Sequence, residues 1–153
     1  MGKTFDELAV PAPGEGKRGE SGYLGYLLRQ AAGAHRNRIE KALAGFSVTA
    51  PQFSVLTMLN AYPGLSNADL ARLALLTPQT VSVIIANLEK AGLIARRPHQ
   101  IHGRIQQIDL TSKGTALLAE ARMIVHDLDK ELMDGFSSSD EATIRSWLAT
   151  ISK

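Results

Sequence analysis

The sequence predicts a mostly α fold with a small β-hairpin wing, and three observations carry that expectation. Two short helices with recognisable caps follow one another within residues 65–94. A basic stretch with strand-like runs comes directly behind the second of them. Long amphipathic segments stand at both ends of the chain.

The central pair is the most informative. Ser66 followed by Asp69 is a capping box, in which the serine oxygen accepts from the Asp69 amide and the carboxylate accepts from the Ser66 amide. A helix therefore starts near Asn67, with Leu70, Leu73 and Ala74 recurring at three and four along one face, and Leu75 and Leu76 lead out of it. Thr77 then caps a second helix, and Pro78 sits at its first position, where a missing amide hydrogen costs nothing. Val81, Ile84, Ile85 and Leu88 share one side of that helix. Gln79, Thr80, Ser82, Val83, Ala86 and Asn87 lie around the rest, and Gly92 is positioned as the left-handed stop. Two capped helices joined by about three residues form a helix-turn-helix, whose second helix enters the DNA major groove. An ordinary helical hairpin has the same outline, so the residues after Gly92 carry the distinction.

Strand-like runs at residues 93–97 and 104–110 flank a polar loop containing Pro98 and Gly103. This hairpin is a wing. It carries Arg96, Arg97 and Arg104, with no acidic residue between Glu89 and Asp109. The ordered series Thr77-Pro78-Gln79-Thr80-Val81, Leu88-Glu89-Lys90-x-Gly92-Leu93-Ile94-x-Arg96-Arg97 and Leu110-Thr111-x-x-Gly114 resembles the winged helix-turn-helix of the multiple-antibiotic-resistance regulator (MarR) family. The likeness runs from about Tyr23 to the C-terminus. Two positions depart from the family pattern: His102 stands where an acidic residue is usual at the wing tip, and Val83 where many members carry a basic residue.

Composition agrees with one globular domain: 153 residues, 44% hydrophobic and few aromatics. The absence of cysteine excludes thiol redox sensing. No run of eighteen apolar residues and no N-terminal signal region is present, so the expectation is a cytoplasmic protein with no membrane partner. Charge is uneven. Residues 66–114 hold six Lys or Arg against three Asp or Glu, net +3, whereas residues 115–153 hold four against seven, net −3. The basic stretch is the one suited to phosphate.

Residues 1–21, rich in Pro and Gly with interleaved charges, read as a flexible arm. Residues 23–43 form a long amphipathic helix ended by Gly45, and Thr49 caps a helix over about 50–61. Thr111 caps a helix reaching about Gly135, roughly 24 residues or about 36 Å. A final helix carries Ile144, Trp147, Leu148 and Ile151, an apolar stripe that a monomer would leave wet.

The resemblance implies a division into a helical dimerisation region, 22–48 and 112–153, and a winged DNA-binding region, 49–111. It implies a homodimer on double-stranded DNA, with Thr77, Gln79, Thr80, Ser82, Val83, Asn87, Arg96, Arg97 and Arg104 at the interface. Gln79 suits a bidentate contact to adenine, Val83 or Ala86 a thymine methyl, and a helix without a basic residue before Lys90 favours A·T-rich sites. Arg104 suits a narrow minor groove, while Arg96 and Arg97 hold phosphates or brace the hairpin. It also implies release by a small aromatic carboxylate or phenolic effector near Tyr26, Arg29, His35, Arg38, Phe53 and Met58. Two rival readings are a metal sensor using His99 and His102, which neither a cysteine nor a nearby carboxylate completes, and a winged protein-interaction module. No catalytic motif is present, so neither an enzyme activity nor a cofactor is expected.

Overall fold

The computed structural model describes residues 10–101 and 103–153. His102 and residues 1–9 of the expected arm lie outside the described residues. The chain divides into two compact units, Met1–Arg38 and Ile39–Lys153.

In the first unit the described part of the arm is not featureless. A 3-10 turn at Gly16–Arg18 is held by Arg18 Nη1 donating to the Pro11 carbonyl at 2.6 Å and by Ser21 Oγ donating to the Gly16 carbonyl at 2.7 Å. Pro and Gly leave carbonyls without regular partners, and the side chains beside them supply donors. Helix α1, Leu24–Leu43, starts in this unit and ends in the second.

The second unit follows the expected order: α2 (Ala50–Ala61), α3 (Asn67–Ala74), α4 (Pro78–Lys90), β1 (Ile94–Pro98), β2 (Gln106–Leu110), α5 (Ser112–Glu131) and α6 (Ser138–Ile151). Helix α2 is its hub, touching α3, α4, α5 and β2 and burying Phe53, Val55, Leu56 and Leu59. Against it lie Leu70 of α3, Val81, Ile85 and Leu88 of α4, Ile108 of β2 and Leu118 of α5, one continuous apolar core. The strands pair antiparallel, Ile94 opposite Leu110 and Pro98 opposite Gln106. Leu65 adds a bridge to Ile108, whose amide donates to the Leu65 carbonyl at 3.1 Å. The wing is thereby tied to the segment before α3.

Several boundaries differ from the sequence reading for physical reasons. Leu93 is not in the strand, because its amide closes the end of α4 by donating to the Leu88 carbonyl around Gly92, which has φ +73°. Ile105 closes the wing tip instead, its carbonyl accepting from the His99 amide. After α1 the chain makes a 3-10 turn over Ala44–Phe46, and Ser47, not Gly45, takes the left-handed conformation with φ +57°. Helix α5 stops at Glu131, short of Gly135, because residues 132–134 tighten into successive bonds three residues back before Gly135 reverses the chain at φ +85°. Between α3 and α4, Leu75 is left-handed at φ +54° with its side chain 91% exposed, a conformation that costs a leucine about 1 kcal/mol. Among the described residues no single helix is long and apolar enough to cross a membrane.

The tightest junction joins α4 to α5. A Cβ on Gly114 would lie 2.0 Å from the Leu93 carbonyl oxygen, so only glycine admits this approach. Thr111 Oγ1 donates to the Gly92 carbonyl at 2.7 Å and accepts from the Gly114 amide, and Lys113 Nζ donates to the Ala91 carbonyl at 2.8 Å. Gly114→Ala is therefore expected to destabilise the fold by at least about 1–3 kcal/mol in urea unfolding, the cost of overpacking a site that cannot relax.

Candidate nucleic-acid interface

Helix α4 is fixed from behind by four buried residues, Val81, Ile84, Ile85 and Leu88. The opposite side is exposed and consists of Gln79, Val83, Ala86 and Lys90 along its middle, flanked by Thr80, Asn87 and Ser82. Periodicity alone anticipates this outward row. It does not anticipate what the hydroxyls do. Thr77 Oγ1 accepts from the Thr80 amide at 3.1 Å, and the two threonine hydroxyls lie 2.9 Å apart, so both serve the helix cap. Ser82 Oγ donates to the Pro78 carbonyl and accepts from Asn67 Nδ2, each at 2.9 Å. That second bond joins α3 to α4 and had no sequence signal, since Asn67 reads only as the first residue of its helix.

The wing arginines are also engaged. Arg96 Nε donates to Glu89 at 3.0 Å, and Arg97 pairs with Asp109 and donates to Gln107. Of the two roles expected for them, bracing the hairpin is the one these contacts serve. Arg104 is exposed at the wing tip, and among the described residues no ion pair holds it. With Arg72 paired to Asp69, three of the six cations in residues 66–114 are locally neutralised, leaving Lys90, Arg104 and Lys113 as the surplus. Between α3, α4 and the wing lies a cavity of about 420 Å³ lined by Asn67, Ser82, Ile85, Arg96, Ile105 and Ile108, within the size range of small-molecule sites. No local pattern announces this cavity, because its walls come from three separate segments.

The remaining expected residues fall on both units. Tyr26, Arg29, His35 and Arg38 lie on α1 in the first, where the Arg29 guanidinium sits 5.7 Å from the centroid of the Tyr26 ring. Phe53 is buried and Met58 half-buried on α2 in the second. His99 accepts from the Ile101 amide through Nδ1 at 3.1 Å. Among the described residues no three His, Cys, Asp or Glu side chains gather as a metal site.

Residues 48–106 match the model of the MarR family. The HTH-type transcriptional repressor Rv2887 of Mycobacterium tuberculosis is 38% identical over 110 residues, which cover 72% of this chain and 79% of that protein. The chain belongs to the MarR family. Among solved MarR-type structures, the repressor CouR bound to a 23-mer DNA duplex has a TM-score of 0.78 at 29% identity, covering 86% of this chain and 93% of CouR. BpsR of Bordetella bronchiseptica, whose DNA binding is regulated by 6-hydroxynicotinic acid, has a TM-score of 0.79 at 25% identity, covering 88% of this chain and 96% of BpsR. Rv2887 has also been solved with salicylic acid, with a TM-score of 0.69 at 32% identity and coverage of 86% and 98%. The winged helix-turn-helix expected from the sequence is thus the family's fold, with α3 and α4 as its paired helices and β1 and β2 as its wing.

The polar contacts around α3 can be checked directly. A double-mutant cycle on Asn67→Ala and Ser82→Ala should give a coupling of about 0.5–1.5 kcal/mol in urea unfolding, and additivity would remove the α3–α4 tie. The Asp69 carboxyl is held below its ordinary value, first by the Ser66 hydroxyl and then by Arg72. Its folded pKa being depressed, its stabilisation is complete above the unfolded value near 3.9 and is lost as pH falls through the folded one. The stability gap between the parent chain and Asp69→Asn should therefore be open at pH 7 and narrow as pH falls below the ordinary carboxylate range in denaturant titrations.

Proposed function

We propose that this chain is a homodimeric transcriptional repressor that binds a pseudo-palindromic operator through α4 and the wing, and that a small aromatic carboxylate or phenolic compound releases it. The observation that carries the reading is the exposed row of α4, held rigid from behind and followed by a wing that ends in exposed Arg104. The DNA complex of CouR supports it. The binding residues in this reading are Thr77, Gln79, Thr80, Ser82, Val83, Asn87 and Arg104, with Arg96 and Arg97 holding the wing in position. The protein acts in the cytoplasm, where its DNA is.

A second copy is part of the proposal for an energetic reason. Helix α6 buries none of its residues within the chain, and Trp147, Leu148 and Ile151 are 40%, 40% and 50% exposed. Residues 22–48 and 112–153 would cover this surface across a two-fold axis. Such a dimer presents two α4 helices about 34–36 Å apart, one turn of B-DNA, to successive major grooves. Covering promoter DNA is enough to block transcription.

Release needs a ligand that favours a dimer geometry unable to span two grooves. Rv2887 with salicylic acid and BpsR with 6-hydroxynicotinic acid support an aromatic acid as that ligand. On α1, Tyr26, Arg29, His35 and Arg38 are proposed to receive it, the arginines meeting the carboxylate. A second seat has its own observation: the cavity of about 420 Å³ beneath the wing is lined by Arg96 together with apolar Ile85, Ile105 and Ile108 and polar Asn67, Ser82 and Gln106.

The test is gel-shift titration on the DNA upstream of the coding region, with and without salicylate. Specific, salt-dependent binding that salicylate weakens supports the reading. Arg104→Ala should then lower affinity by about 1–3 kcal/mol. A purified chain that stays monomeric, or that binds no duplex at low ionic strength, rejects it.

A further inference from the structure

We infer that Val83 sets the base preference of the recognition helix by packing its isopropyl group against thymine methyls in the major groove. The inference rests on the DNA-reading proposal above and adds the chemical class of base pair that this chain prefers.

Residues 79, 83, 86 and 90 run down the middle of the outward face at intervals of four, three and four. Two of the four, Val83 and Ala86, are apolar. Val83 lies at the centre of the row and is 61% exposed, so a β-branched side chain is presented to solvent where nothing within the fold needs it. Its hydroxyl neighbours are already committed. The Ser82 hydroxyl hydrogen goes to the Pro78 carbonyl while its oxygen takes the Asn67 amide, and the Thr77 and Thr80 hydroxyls face each other across the cap. The one cation on the row, Lys90, is at the far end of the helix from the N-terminal residues that contact base edges.

The centre of this surface therefore offers methyl groups, with the amides of Gln79 and Asn87 one turn to either side as its hydrogen-bonding groups. In the major groove the feature that matches methyl groups is the C5-methyl of thymine, which cytosine lacks at the same place. Valine is suited to such a contact because its χ1 is stiff, so holding its methyls in position costs little further entropy. Gln79, four residues earlier, can take an adenine in the bidentate manner. The pair favours an A·T step at the centre of each half-site.

The test removes the methyl and nothing else. Full-length protein selects its tightest duplex from a random pool at low salt, and that duplex is resynthesised with deoxyuridine replacing each thymidine in turn. The parent chain should lose about fourfold in affinity at one thymine step per half-site, the scale set by burying a single carbon. Val83→Ala should bind more weakly and no longer distinguish thymine from uracil at that step, while its dependence on salt is unchanged because no phosphate contact is lost. Equal affinity for thymine and uracil at every step of a duplex that is bound overturns the inference and leaves DNA reading intact. Failure to bind any duplex overturns the DNA-reading proposal, and this inference with it.

Discussion

The approach of Gly114 to the Leu93 carbonyl is the constraint on which the rest of the second unit depends. A glycine within a helix costs about 1 kcal/mol relative to alanine, and here its missing side chain lets the first turn of α5 sit directly on the end of α4. The surrounding bonds use that closeness. Thr111 satisfies a carbonyl beyond α4 and an amide of α5 with one hydroxyl, and Lys113 brings a positive charge to the negative end of the α4 dipole. Recognition helix, wing and α5 are therefore joined at one point, and α4 cannot tilt there without disturbing α5.

Electrostatics near the wing serve geometry more than field strength. Exposed ion pairs such as Arg96–Glu89 and Arg97–Asp109 contribute little stability singly. They do fix directions. Arg97 spans the hairpin to Asp109 and Gln107, and a side chain at Gly64 would press against Arg97 and Gln107, so the turn before α3 is shaped around the same cluster. With half of the local cations occupied in this way, a uniform attraction to phosphate is weak. Under the proposed function, the surface that meets DNA then discriminates through the shape and apolar character of α4.

What was legible in the sequence was what is decided within one helical turn. Ser66 with Asp69, Thr77 with Pro78, Thr49 and Thr111 each form the caps their spacing announces, because donor and acceptor are three residues apart. The four buried residues of α4 follow from periodicity for the same reason. The C-terminal ends were less legible. Ser47 and Leu75 hold left-handed conformations that their residue types disfavour, each where a helix ends. The Asn67–Ser82 bond spans fifteen residues and the Arg97–Asp109 pair twelve, and neither has a local pattern. The outward positions of α4 could be named from sequence, but which of their polar groups were already spent could not.

The same division explains how a ligand far from α4 could govern it under the proposed function. Helix α5 spans 20 residues, about 30 Å, with its N-terminus locked to α4 and its far half bearing exposed Met123 and Ile124. If a second copy covers that far half, the partner surface and the recognition helix are opposite ends of one rigid lever. A tilt of about 5° over about 30 Å moves one end by about 2.6 Å. Hydrogen bonds to base edges tolerate only a few tenths of an ångström around 2.7–3.2 Å. Under the proposed function, a rearrangement too small to disturb the apolar packing of a dimer would thus be large enough to withdraw one α4 from its groove, with the glycine junction carrying the motion from α5 to α4.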